Sequence, residues 1–158
     1  MDITLARVDN RLMHGIVINQ YFPSTGAQRI MVVDDDVANN PMKKSAMMMA
    51  KPNGIAVSII TLEKAITNFQ AGNYDGQRVF LLTKSPSTML KLMEGGFKIP
   101  EVMIGATDMV GEGIQLSQRA YITEEELADC RKISEMGTSI IVQHAPSVPK
   151  QDMWKIVK

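Results

Sequence analysis

Cysteine is almost absent. Cys130 is the only one in 158 residues, so no intramolecular disulfide can form and a reducing, cytoplasmic compartment is the expected setting. A charge excess of one sign is also missing, because 17 basic side chains balance 17 acidic ones. That balance argues against a polyanion-binding surface, so nucleic acid is not an expected partner, although a local basic pocket is compatible with it. No stretch approaches the roughly 20 apolar residues of a membrane helix, and any membrane partner is therefore expected to be a separate polypeptide. Asp2 and Arg7 interrupt the opening segment MDITLARVDNR, so a secretory leader is not expected there. No Walker motif occurs. Two separate histidines, His14 and His144, with one cysteine are too few for a zinc site.

What is present is ordinary for a globular chain: 45% hydrophobic and 22% charged residues. The length suits one domain spanning residues 1–158. Short apolar runs alternate with helical patterns. Strands are expected at Ile3–Val8, Arg29–Asp34, Ile55–Ile60, Arg78–Thr83, Glu101–Ile104, Ala120–Ile122 and Ser139–Gln143. Helices are expected at Gly15–Phe22, Pro41–Lys51, Leu62–Ala71, Pro86–Glu94, from Thr123 to Met136, and in a short closing segment, Asp152–Val157. Ser85 reads as an N-cap, and Thr123 with Glu126 as a capping box. This alternation implies an α/β fold with an open, mainly parallel sheet flanked by helices on both faces. Sites in such folds lie beyond the carboxyl ends of the strands. The segments of interest are then Asp9–His14, Asp34–Asn40, Lys84–Ser87 and Gly105–Gly113.

The first of these is the richest. Arg7-Val8-Asp9-Asn10-Arg11-Leu12-Met13-His14-Gly15 leaves a strand and enters a helix. Guanidinium groups match the fork geometry of phosphate. The helix start after His14 offers free backbone N–H groups, and Gly15 allows close approach to them. A neutral imidazole is a competent nucleophile near neutral pH, so His14 is the candidate covalent phosphoryl carrier. Asp9 is expected to accept the imidazole's other N–H, and Arg11 to neutralise the transferring group. Arg7, Asn10, Gly15, Lys84 and Ser85 are the phosphate-binding candidates. No metal or other cofactor is needed for this chemistry. The same composition also fits a charged surface turn, or a non-catalytic regulatory module that binds an anion or a phosphoprotein.

The nine-residue segment resembles the R-I/V-D-x-R-L-x-H-G signature of the IIB subunits of the mannose/fructose/sorbose family of sugar phosphotransferase systems. Val33-Asp34-Asp35-Asp36-Val37-Ala38-Asn39-Asn40-Pro41 resembles that family's second-strand loop, and Lys84-Ser85-Pro86 its fourth-strand loop. Gly95-Gly96 before Ile99-Pro100 and the helix start Thr123-Glu124-Glu125 follow in the family's order. The resemblance implies that His14 accepts a phosphoryl group from the phosphohistidine of a IIA protein. It also implies that His14 passes that group to a sugar held by membrane IIC and IID subunits. Asp9, Arg11 and Gly15 would be the nearest supports. This sequence departs from the family at Ile16-Val17, at Tyr21-Phe22, at Met103-Ile104-Gly105 and at Gln143-His144-Ala145-Pro146. The sugar and the partner surfaces are not implied by it, and a homo-oligomer is compatible with the sequence.

Other residues have plainer readings. Asp34-Asp35-Asp36 suits turn and capping chemistry, with Asp35 a candidate contact of the His14 loop. Met42 and Met47-Met48-Met49 on one helix are expected to be mostly core filler. Cys130 is expected to be inert, and Trp154 to pack the last helix against the body. His144, at the end of a strand, is a candidate neighbour of the site.

Overall fold

Apolar residues run unbroken through the central strands, and successive side chains point to opposite faces. In Arg78–Thr83, Val79 and Leu81 face one core while Phe80 and Leu82 face another, all four fully buried. Both faces must therefore be covered, and the helices of this chain cover them. A computed structural model of the protein describes residues 1–108 and 111–157.

In chain order, Asp2–Asp9 (β1) leads to Gly15–Tyr21 (α1) and a 3-10 turn at Phe22–Ser24. Arg29–Val33 (β2), Asp35–Ala38 (α2) and Pro41–Met48 (α3) follow, then Ala56–Ile60 (β3) and Leu62–Gln70 (α4). Arg78–Thr83 (β4), Pro86–Glu94 (α5) and Glu101–Ala106 (β5) complete the middle of the chain. Ile114–Gln115 (β6) and Tyr121–Ile122 (β7) form a small antiparallel ribbon. Glu124–Glu135 (α6), Ser139–Val142 (β8), Gln151–Asp152 (β9) and Met153–Ile156 (α7) close the chain.

The main sheet has the order β3-β2-β4-β1-β5-β8-β9 and is parallel except for β9 at its edge. One core packs α5, α6 and α7 against Val8, Leu81, Val102 and Ile140. The other packs Val17, Ile18 and Tyr21 of α1 against Ile30, Phe80, Leu82 and Met103. After β1 the chain travels toward β2, and after β5 it travels the opposite way toward β8. A crevice opens between the carboxyl ends of β1 and β5, because their connections diverge there.

The expected open parallel sheet is found, with most elements within a residue or two of their expected ends. Ser85 and Thr123 are the expected caps; the Glu126 side chain answers the Thr123 N–H at 3.0 Å. Four differences have local causes. Strands β6 and β9 are two residues long, too short for any periodicity to register. The four-residue α2 is started by Asp34, whose carboxylate accepts from Val37 N–H at 3.0 Å. Most methionines of this segment are not core filler; Met47 alone is half-buried and packs against the α1-side core. That helix buries no residue, and Met42 and the following Met49 are 82% and 89% exposed. Asp35 does not meet the His14 loop; its carboxylate accepts from Leu62 N–H at 2.9 Å and so holds the start of α4. Trp154 packs as expected and donates from Nε1 to Ser134 Oγ at 2.8 Å. Among the described residues, no helix is long and apolar enough to cross a membrane.

Cys130 lies fully buried on α6, and burial pushes its thiol up from 9.0 to about 12. The folded chain thus keeps a proton that the unfolded chain sheds first. We expect Cys130 to resist thiolate-directed alkylation at pH 8 and to react on unfolding in urea. We also expect folding stability to fall as pH climbs from about 9 toward about 12. Rapid labelling of the folded chain, followed by mass spectrometry, would contradict this.

Candidate functional site

Arg7 and Asp9 alternate at the end of β1 and therefore share its α1 side, and the turn that follows brings Arg11 back onto Asp9. Asp9 is fully buried, and its two oxygens are saturated. Oδ1 accepts from Arg11 N–H at 3.0 Å and from Arg11 Nε at 2.9 Å. Oδ2 accepts from Arg11 Nη2 at 2.9 Å and from Arg7 Nε at 3.1 Å. One carboxylate between two guanidinium groups leaves a net charge of about +1 at the sheet's edge. The pair with Asp9 holds Arg11 still more firmly protonated than usual.

Arg7 is fully buried, and its donors are spent on the protein. Nη1 donates to the Gln143 carbonyl at 2.9 Å, and Nη2 to the His144 carbonyl at 3.1 Å. Its plane lies 4.0 Å from the Tyr21 ring centroid. Arg7 is thus no phosphate ligand, contrary to expectation: it faces inward and ties β1 to the end of β8. Room for it comes from Gly105 on β5, where a Cβ would collide with the guanidinium. Tyr21 donates to Gln143 Oε1 at 3.2 Å, and burial raises its phenol above the usual range.

The loop beyond Asp9 is sharply turned. Leu12 N–H donates to the Asp9 carbonyl at 3.0 Å, and His14 N–H to the Leu12 carbonyl at 2.9 Å. Leu12 adopts φ 54, a left-handed conformation that costs a non-glycine residue roughly 1–2 kcal/mol. Its fully buried side chain in the α1-side core holds it there. His14 then emerges exposed as the N-cap of α1, with Nδ1 accepting from Ile16 N–H at 3.1 Å. In the neutral ring Nδ1 therefore carries the lone pair and Nε2 the proton. Asp9 was expected to fix that tautomer, but its oxygens are saturated by arginine donors, and a backbone amide does so instead.

His14 stands between two grooves. One, of about 520 Å³, is lined by Asn10, Arg11, His14, Thr107, Arg119 and His144 among others. Asn10 is tied to β5 by donating from its N–H to the Ala106 carbonyl at 3.0 Å, and its Nδ2 donates to Asp108 Oδ1 at 3.0 Å. The other groove, of about 330 Å³, brings Lys84 and Lys43 to His14 beside Met13 and Met47. Ser85 lines neither groove. Its hydroxyl is engaged as the α5 cap, taking Thr88 N–H at 3.3 Å, so it is a poor candidate for phosphate. At Gly15 nothing lies within 4 Å of where a Cβ would stand, so no contact within the chain demands glycine there. The loop Gly105–Gly113 contributes through Ala106 and Thr107, while its residues 109–110 lie outside the described residues.

These features can be set beside known proteins. A family described as "PTS system sorbose subfamily IIB component" matches residues 3–158. The chain belongs to that family. It is 33% identical over 153 residues to the N-acetylgalactosamine-specific phosphotransferase enzyme IIB component 1 of Escherichia coli strain K12, covering 96% of each chain. It is 28% identical over 158 residues to the fructose-specific EIIB component of Bacillus subtilis strain 168, covering 100% of this chain and 97% of that one. A mannose-specific EIIAB component of E. coli K12 is 30% identical over 157 residues, and the match spans 49% of that longer protein. The crystal structure of the IIBSor domain of the sorbose permease from Klebsiella pneumoniae superposes with a TM-score of 0.92. That domain is 28% identical, with 99% of this chain and 96% of that one covered.

Arg119 is a charged lining residue of this IIB chain that reading the sequence missed, as is Lys43. Arg119 follows β6, and its place depends on hydrogen bonds to Thr107 rather than on any local pattern. The buried Arg7 predicts a strong effect at a residue with no chemistry of its own. Gly105→Ala should destabilise the fold by about 2 kcal/mol through overpacking. Gly15→Ala should stay within about 0.5 kcal/mol of wild type. Urea denaturation monitored by circular dichroism measures both; equal midpoints would remove the steric account.

Proposed function

We propose that this chain is the single phosphocarrier domain of a sugar phosphotransferase system and that His14 is its covalent carrier. The observation that supports this most directly is an exposed imidazole on the β1–α1 loop, with its lone pair fixed at Nδ1 and Arg11 beside it. In this reading Nδ1 attacks the phosphorus of a phosphohistidine on the IIA partner. The donor's N–P bond breaks, and its electron pair returns to the donor ring. Ile16 N–H, released from Nδ1, then faces a phosphoryl oxygen. Arg11 screens the charge on the equatorial oxygens through the side of its guanidinium not bound to Asp9.

In the second half-reaction a sugar hydroxyl, held by membrane IIC and IID subunits, attacks the same phosphorus. The His14 N–P bond breaks, the lone pair returns to Nδ1, and the hydroxyl proton passes to solvent. The mannose-specific EIIAB relative, in which a IIA portion accompanies IIB, supports the identity of the donor. His14 is exposed between two grooves, which suits successive docking of two partners. The basic, methionine-bearing flank formed by Lys43, Lys84 and Met47 offers one approach. Membership of the IIB family supports a place in the cytoplasm at the periphery of the transporter.

Incubation with phosphorylated IIA should give wild type an acid-labile, base-stable phosphate, and His14→Ala should gain none. Label persisting in that variant would move the site elsewhere, and no label with any cognate donor would favour an anion-binding module. Arg11→Gln should slow transfer about a hundredfold. Arg11 also pairs with buried Asp9, so stability should fall by about 1–2 kcal/mol as well. Transfer at the wild-type rate by folded Arg11→Gln would make Arg11 purely structural.

A further inference from the structure

Charge at the His14 crevice is incomplete if Arg11 is its only cation. A phosphoryl group carries a charge of about −1.5 to −2. Arg7, Asp9 and Arg11 together supply only about +1, and two of the three Arg11 guanidinium nitrogens are already directed at Asp9. Arg119 lines the same crevice. Among the described residues its guanidinium has no hydrogen-bond or ion-pair partner, and it is exposed.

The stem of Arg119 is as fixed as its head is free. Its N–H donates to Ser117 Oγ at 3.2 Å, and its carbonyl accepts from Thr107 N–H at 3.0 Å. Thr107 Oγ1 clasps the next strand, donating to the Tyr121 carbonyl at 2.7 Å and accepting from Tyr121 N–H at 2.8 Å. The neighbouring Ala120 is fully buried. One residue back from Thr107, the Ala106 carbonyl takes Asn10 N–H at 3.0 Å, within the His14 loop itself. A short run of main-chain bonds therefore sets the Arg119 backbone relative to His14. Entropy lost by its side chain on engaging an anion is then the main cost left.

We propose that Arg119 is a second phosphoryl-binding residue of this site, sharing the oxygens of the transferring group with Arg11 across the crevice that both line. This rests on His14 being the carrier. The ribbon β6–β7 acquires a purpose from it: it delivers the cation that the strand-end triad lacks. Arg119 adds a positive charge to the crevice, which favours a dianionic group there. No bond to Arg119 forms or breaks; it stabilises the charge already present on phosphorus-bound oxygen.

The test uses the intact chain, Arg119→Gln and Arg119→Lys. Potassium phosphoramidate serves as a partner-free phosphoryl donor. In parallel, inorganic phosphate is titrated while the His14 ring is followed by nuclear magnetic resonance. Arg119→Gln should lower both the labelling rate at His14 and the phosphate affinity about tenfold, the weight of one charge-assisted contact. Its melting temperature should stay at the wild-type value. Arg119→Lys should recover part of each, because it keeps the charge but not the fork. Equal rates and affinities in wild type and Arg119→Gln would overturn the role of Arg119 and leave His14 untouched. Loss in both variants together with a lowered melting temperature would also overturn it, by making Arg119 structural. Wild type that takes no label on His14, with no response of its ring to phosphate, would overturn the carrier reading and this one together.

Discussion

A single carboxylate, Asp9, buried between two guanidinium groups, organises this end of the molecule. A lone ion there would be prohibitively costly, and removing either partner would leave charge stranded in the core. Because both oxygens are filled, Asp9 does three things at once. It orients Arg7 toward β8, it pulls the Arg11 backbone into the turn that ends β1, and it keeps the Arg11 side chain at the rim. His14 takes nothing from it directly. The imidazole is oriented by the main chain, so the group proposed to react is free of the ion network that shapes its surroundings.

Rigidity and exposure are divided between different parts of one loop. Leu12 is pressed into the core in a conformation it would not adopt alone, and two residues later His14 stands in solvent. The buried leucine anchors the loop, so the histidine keeps its place without being enclosed. The crevice it faces comes from topology: β1 and β5 are neighbours whose onward connections part company, and Asn10 bridges the gap to Ala106. In this IIB family fold, the space in front of His14 follows from strand order more than from any one side chain.

Much of this was legible in the sequence, for identifiable reasons. Apolar strands buried on both faces announce themselves as continuous runs, and helix starts at Ser85 and Thr123 declare their caps locally. The loop bearing His14 was visible because its chemistry is packed into consecutive residues. What escaped depended on distance. Whether Arg7 pointed in or out was settled by the carbonyls of Gln143 and His144 and by the bare Cα of Gly105, none of them near it in sequence. The sequence alone assigns Asp9 to the imidazole, since pairing with two arginines requires knowing that Arg7 shares its face and that the turn folds Arg11 back onto it. The bareness of α3 was hidden because a methionine-rich helix reads as core until its neighbours are known.

The alternation of Arg7 and Asp9 carries a consequence for how this chain can vary. Residues two apart share a face only while the strand keeps its register, and a shift of one turns every side chain over. A one-residue insertion or deletion between Leu5 and Asp9 would turn Arg7 or Asp9 to the α5 side, into an apolar core. Length is therefore held more tightly here than composition. Variation in this strand has to come by replacement.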